Sequence, residues 1–177
     1  MKIAKFTAAL ALILSCGAAA FAAQTDTVVI NATVSPILCV HATGAPAALT
    51  LQSPATGGEV PAGGADSSTY LLYTSTITSA TTHRITVALG AGLPTGVRLR
   101  LQATAPAGNK AGTLGTPSAA LLLSTTTQDL ITGIGACYTG TSAGDGARLN
   151  YQLSVANWAS YKAFAASSVT VTFTMTN

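Results

Sequence analysis

Apolar and polar residues alternate along much of the chain with a period of two. The clearest case is 169–176, where Val169, Val171, Phe173 and Met175 fall on one face and threonines fill the other. Alternation of this kind predicts β-strands that bury one face. The other segments that carry it, or a short apolar run, are 27–34, 37–40, 47–51, 71–78, 85–89, 97–103 and 149–155.

Segments rich in glycine and proline separate these stretches, at 53–68, 90–96, 106–117 and 133–146. Glycine permits positive φ and proline lacks a backbone donor, so both favour turns between strands. An amphipathic helix of useful length is not predicted, and only Leu121–Leu123 is ambiguous. The pattern predicts an antiparallel all-β domain of roughly seven to nine strands in two sheets.

The first 22 residues have the features of a secretory signal peptide. Lys2 and Lys5 precede an apolar run, and Ala20-Phe21-Ala22 fits the small-x-small rule for cleavage. The alternative is a lipoprotein box that ends at Cys16, which would make the product an outer-membrane lipoprotein. Either route predicts an exported protein.

The composition is unusually poor in charge. Charged residues make up 7% of the chain, against about 25% in an ordinary soluble domain. Loss of Lys2 and Lys5 with the signal peptide lowers the formal net charge from +3 to +1. Without a basic stripe the chain is not expected to bind nucleic acid. A surface with so little charge does little to keep neighbouring molecules apart, which suits a protein that polymerises outside the cell.

Two cysteines, Cys39 and Cys137, remain on either export route. An even pair in an exported chain predicts a disulfide, here between an early strand and a late Gly-rich loop. Two free thiols are the alternative.

Candidate chemistry is sparse. Cys39-x-His41 could hold part of a metal site, but a histidine at a strand end beside a bridged cysteine is the favoured explanation. Asp145-Gly146 has no acidic partners nearby for a calcium loop and favours a hairpin turn. Neither histidine lies in a nucleophile motif. The sequence therefore predicts no enzyme, no metal and no cofactor, and a secreted hydrolase would lack a site.

The segment 27–34 is the most distinctive feature of the predicted mature chain. Val28, Ile30, Ala32 and Val34 share one face, two residues apart. An extended peptide of this form adds to an open sheet edge, where its alternate side chains enter pockets about 6.6–7 Å apart. The partner sheet belongs either to its own domain or to another molecule.

The sequence resembles subunits of chaperone–usher pili, in the archaic, spore-coat-U-like or a related alternative branch. The similarity rests on "INATVSPILCV" near the start and "SVTVTFTMT" at the end, around a Thr/Ala/Gly-rich body. It implies an immunoglobulin-like sandwich that lacks its final strand. The donor residues would be Val28, Ile30, Ala32 and Val34, and the acceptor groove would be lined by Val169, Val171, Phe173 and Met175.

The resemblance also implies partners and location: identical or homologous subunits, a periplasmic chaperone and an outer-membrane usher, with passage through the periplasm to a cell-surface fimbrium. The expected organisation is a signal peptide at 1–22, a donor-strand extension at 23–35 and a pilin domain at 36–177. The alternative is a self-contained, secreted or lipid-anchored β-sandwich that binds a ligand or a surface.

Overall fold

The computed structural model describes residues 26–46, 48–78, 81–142, 144–165 and 167–177. The predicted signal peptide, Cys16 and the first residues of the extension lie outside these ranges. The chain divides between Thr33 and Val34 into two units, of which Val34–Asn177 is the folded body.

Within the described ranges the regular structure consists of nine strands and no helix, and the strands form one antiparallel sheet network. This arrangement confirms the predicted all-β antiparallel class. No described segment is a helix with the length and apolarity needed to cross a membrane. The strands are β1 (Leu38–Thr43), β2 (Ala65–Ser75), β3 (His83–Leu89), β4 (Val97–Ala103), β5 (Ala111–Pro117), β6 (Leu121–Leu122), β7 (Gln128–Tyr138), β8 (Ala147–Val155) and β9 (Val171–Thr176).

Two parts of the sequence prediction are corrected. Residues 27–34 form no strand within the described chain, and 48–51 form none either. The Gly-rich segments predicted as turns at 106–117 and 133–146 contain β5 and most of the second half of β7. The reason is close strand packing: a Cβ at Gly112 would lie 2.0 Å from the carbonyl oxygen of Ala136 on the neighbouring strand.

Several strands lie end to end along a common neighbour. β2 pairs with the end of β7 (Ser75 with Cys137), and β3 pairs with the beginning of β7 (Val87 with Gln128), so β2 and β3 follow one edge of β7. β7 and β8 are likewise consecutive along β2, because β8 pairs with its first half. β4 pairs with β8, and β5, which follows β4 in the chain, pairs with β7.

The sheet folds over on itself at the three connections β2–β3, β4–β5 and β7–β8. One layer holds β1, β2, β8, β4 and β6, and the other holds β9, β3, β7 and β5. Their facing side chains form a single core that includes Leu71, Leu101 and Leu149 from the first layer and Ile85 and Ile131 from the second. β4 shows the pattern most clearly, because its residues alternate strictly between buried and exposed.

The two ends of the sandwich differ. We call the end with the three connections the crossover end; β1 begins there and β9 finishes there. At the other end, the open end, the amide of Leu123 donates to the carbonyl of Leu99 and the amide of Leu89 donates to that of Ser124. These bonds join the far ends of β4 and β3 through the short segment at β6. β1 therefore runs from the crossover end to the open end, and β9 runs in the opposite direction.

Candidate strand-acceptor groove

β1 and β9 form a free edge of the sheet. β1 pairs with β2 (Val40 with Tyr73), and β9 pairs with β3 (Phe173 with Val87). No strand of the described chain pairs with the opposite edge of either one. The backbone groups on such an edge are available to hydrogen-bond an added strand.

Beside this edge, at the open end, lies an apolar cavity of about 690 Å³. One side is formed by the chain that follows β1, including Leu49, and the other by the chain that leads into β9, including Phe164. Leu99, Tyr151 and Leu153 of β4 and β8 form the floor. The cavity thus lies between the chain that follows β1 and the chain that leads into β9, above the inner faces of β4 and β8.

The four residues predicted to line an acceptor groove are distributed along this edge. Val169 and Val171 line the cavity itself. Phe173 and Met175 are partly buried and pack against the core closer to the crossover end. Since Thr172 and Thr174 are exposed, the four apolar side chains share the inner face that the alternation predicts.

The polar groups of the cavity are few. The described lining includes one charged side chain, Lys162, together with the hydroxyls of Thr50, Tyr161, Ser167 and Ser168. On the floor, burial raises the pKa of Tyr151 to about 12, and the nearby carboxylate of Asp66 acts in the same direction. A buried neutral phenol and aliphatic side chains suit an apolar occupant.

The predicted donor residues are well exposed. The exposed fractions are 82% for Val28, 83% for Ile30 and 79% for Val34, and Ala32 is exposed as well. Val29, which alternation places on the opposite face, is 84% exposed. Burial of a Val or Ile side chain contributes roughly 1.5–3 kcal/mol, and this free energy is not realised while the residues remain in water.

The predicted disulfide between Cys39 and Cys137 is wrong, since both cysteines are free. Cys39 is the cross-strand partner of Thr74 on one edge of β2, and Cys137 is the partner of Ser75 on the other edge. The two strands are therefore about two strand spacings, or 9–10 Å, apart, and the thiols point to opposite faces of the sheet. A disulfide needs Cα atoms within about 7 Å.

The buried thiol of Cys137 is held in its protonated form. Desolvation raises its pKa, and a hydrogen bond with the backbone of Ser75 opposes this only in part. Cys39 lies on the exposed face of β1. We therefore expect the two thiols to differ in reactivity, because the thiolate is the reactive form.

Three parts of the lining were not identified as such from the sequence: 48–51, within a segment predicted as a strand, 161–165, and Leu93, in a segment predicted as a turn. All three lie in irregular chain. In the described part of the chain, no three His, Cys, Asp or Glu side chains cluster as a metal site would require. Comparison of the chain with protein-family models, with curated proteins and with solved structures found no match.

Proposed function

We propose that this protein is a structural pilus subunit that polymerises by donor-strand exchange and has no catalytic activity. The observation that carries the proposal is the apolar groove beside the free β1–β9 edge, in a chain that also carries an exposed alternating segment at 27–34. The segment supplies a strand with one apolar face, and the groove offers an open edge with an apolar interior.

The strand pairing supports an immunoglobulin-like assignment. In an immunoglobulin constant domain, strands A, B, E and D form one sheet, and C, F and G form the other. Here β1-β2-β8-β4 corresponds to A-B-E-D, and the pair β3-β9 corresponds to C-F. β5 and β7 extend the second sheet beyond β3. The position of G, next to β9, is the free edge.

The segment and the edge also agree in length and chemistry. From Val28 to Val34 a strand extends about 20 Å at roughly 3.3–3.4 Å per residue, similar to a six-residue strand such as β9 with its adjoining chain. Alternate side chains of the segment would enter the cavity and the space beside Phe173 and Met175. Thr27, Asn31 and Thr33 would face solvent, as the threonines of β9 do.

The partners follow from the same chemistry. The occupant of the groove in a filament would be residues 27–34 of an identical or homologous subunit. Before assembly, a periplasmic chaperone would cover the edge, and an outer-membrane usher would deliver the subunit to a fimbrium at the cell surface. This route, like cleavage after Ala22, is part of the proposal.

A matched pair of charge substitutions tests the proposal. Ile30→Asp places a carboxylate in the apolar groove without a partner, and we expect it to abolish filaments in electron micrographs of the secreted protein. Val29→Asp places the same charge on the solvent face of the donor strand, and we expect filaments to persist. Circular dichroism of both variants checks that the β body still folds.

Filaments formed equally well by both aspartate variants would contradict the proposal. That result, together with a stable isolated monomer whose amides at 27–34 resist hydrogen exchange, would support a self-contained β-sandwich that pairs the segment in cis.

A further inference from the structure

From residue 37 onwards, most of the exposed large apolar side chains of the described chain lie at the two ends of the body. Ile37 is at the crossover end, where its carbonyl accepts from the amide of Thr76 in the β2–β3 connection. Trp158 is at the open end, in the turn that follows β8 and hydrogen-bonds to Gly96 through Asn157. The exposed side chains at the crossover end are Ile37, Leu38, Ile77 and Tyr138, and those at the open end are Trp158 and Phe164. Leu122 lies on β6 opposite Arg100, and Val60 lies in the chain before β2.

Part of each group forms an apolar patch. The crossover patch is Ile37, Leu38 and Ile77, which are 42%, 44% and 37% exposed. The open-end patch is Trp158 and Phe164, which are 57% and 48% exposed, with the ring of Tyr161 edge-on to Trp158 at 5.6 Å between centroids. Apolar patches at the poles of a domain mark interaction surfaces when they are contiguous.

The direction of an inserted strand decides which ends of two copies meet. A donor strand parallel to β9 would finish at the acceptor's crossover end, from which the acceptor's own residues 34–37 leave. The body of the donor subunit and the acceptor's own donor segment would then both occupy the space at the acceptor's crossover end. A donor antiparallel to β9 finishes at the open end, and repeating that contact gives an open head-to-tail chain.

The connection between the donor strand and its own body is short. Only Ser35 and Pro36 separate Val34 from Ile37, so their Cα atoms are at most about 11 Å apart. Proline fixes its own φ and restricts the preceding residue to extended conformations, which stiffens the link. With Val34 at the open end of the acceptor, the donor subunit's crossover patch is brought against the acceptor's rim.

We infer that successive copies make a second contact, in which the crossover patch of the donor subunit packs on the open-end patch of the acceptor. The inference rests on the proposed donor-strand exchange and deepens it: the partner is a second copy of this chain, and the contact fixes the orientation of its body. Both surfaces are apolar, so the contact removes from water side chains that the isolated body exposes.

Cysteine cross-linking of assembled filaments tests the contact. The full chain carries Cys39→Ser in every variant, with Ile77→Cys and Trp158→Cys added as the test pair. After mild oxidation with copper–phenanthroline, boiled samples on a non-reducing gel should show a ladder of covalent oligomers that a reductant removes. The matched control pairs Ile77→Cys with Arg100→Cys, which lies on the exposed face of β4 away from both ends, and should remain monomeric.

The outcomes separate the two levels of the proposal. Filaments in electron micrographs without a ladder from the test pair would overturn the contact and leave donor-strand exchange intact. Cross-linked dimers from Ile77→Cys alone would show crossover ends meeting and would also overturn it. Absence of filaments from the unsubstituted chain would overturn both. If Trp158→Cys prevents assembly, Ala159→Cys, at an exposed position in the same turn, replaces it in the test pair, with the same ladder expected.

Discussion

Replacing Ile30 by alanine provides a quantitative test of the donor-strand assignment, because its neighbour Val29 supplies a control. Both side chains are more than four-fifths exposed in the structure. Alternation places Ile30 in the groove and Val29 in solvent when the segment pairs with β9. Any difference between the two alanine variants therefore reports the groove and not the intrinsic properties of the segment.

The expected magnitude follows from the carbon groups removed. Ile→Ala deletes three carbon groups, worth about 0.8 kcal/mol each in transfer free energy, and buried Ile→Ala substitutions cost about 2–5 kcal/mol once the cavity is included. A loss of about 3 kcal/mol is therefore expected for Ile30→Ala. Val29→Ala, at a solvent-facing position, should cost no more than about 0.5–1 kcal/mol, including the lower β-propensity of alanine.

The assay uses a chain in which residues 27–36 follow Asn177 through a short linker, so that the segment completes the sheet in cis. β9 finishes at the crossover end, where an antiparallel donor begins, so a few glycine and serine residues suffice. For a domain of about 150 residues, 1 kcal/mol corresponds to roughly 2–4 °C in Tm. We expect Ile30→Ala to lower the Tm by about 6–12 °C and Val29→Ala by about 4 °C or less. Equal shifts for the two variants would refute the assigned faces of the donor strand.

Three further results are expected. Gly140→Ala should destabilise the protein by about 2 kcal/mol more than Gly144→Ala, as measured by urea unfolding. Both glycines have positive φ, but a Cβ at Gly140 would meet a carboxylate oxygen at 2.4 Å, whereas the space at Gly144 is open. Equal losses of stability would contradict this geometry. Because folding raises the pKa of Tyr151 from 10.0 to about 12, the contribution of this side chain to the free energy of unfolding should be complete below pH 10 and fall by roughly 2–3 kcal/mol as the pH rises to 12. Burial also raises the pKa of Tyr73, so Tyr151→Phe should make the alkaline fall shallower without abolishing it, and an unchanged fall would refute the assignment. Iodoacetamide should label Cys39 in the native protein and Cys137 only after unfolding, as followed by mass spectrometry. A native protein with no titratable thiol would instead support the predicted disulfide.

The sequence predicted the strands whose burial alternates along a single face. β4, β9 and most of β8 were placed within two residues of their observed bounds, because each has apolar side chains at every second position and a clear polar face. β5 was missed since Gly112 and Gly115, which usually indicate turns, occur inside it at positive φ, where the neighbouring backbone leaves no space for a Cβ.

The groove was predicted only on one side. Val169 and Val171 could be identified because they belong to an alternating strand. The opposite wall around Leu49 was predicted as a strand, and Leu93 near the floor lies in a segment predicted as a turn. Neither pattern indicates a cavity, because their neighbourhood depends on how the sheet folds over. Cys39 and Cys137 illustrate the same limit: the number of cysteines indicated a bridge, but the strand register places them on opposite faces of the sheet.

The pairing of β3 with β9 also has a kinetic consequence. The hydroxyl of Thr86 donates to the carbonyl of Thr174, 88 residues further along the chain. Pairings of such high sequence separation slow folding, because the entropy of closing the loop is lost before any contact compensates for it. Until β9 is available, one edge of β3 stays unpaired, and in that interval aggregation competes with folding. On the proposed export route, slow closure of the sheet would give a chaperone time to bind before β9 pairs.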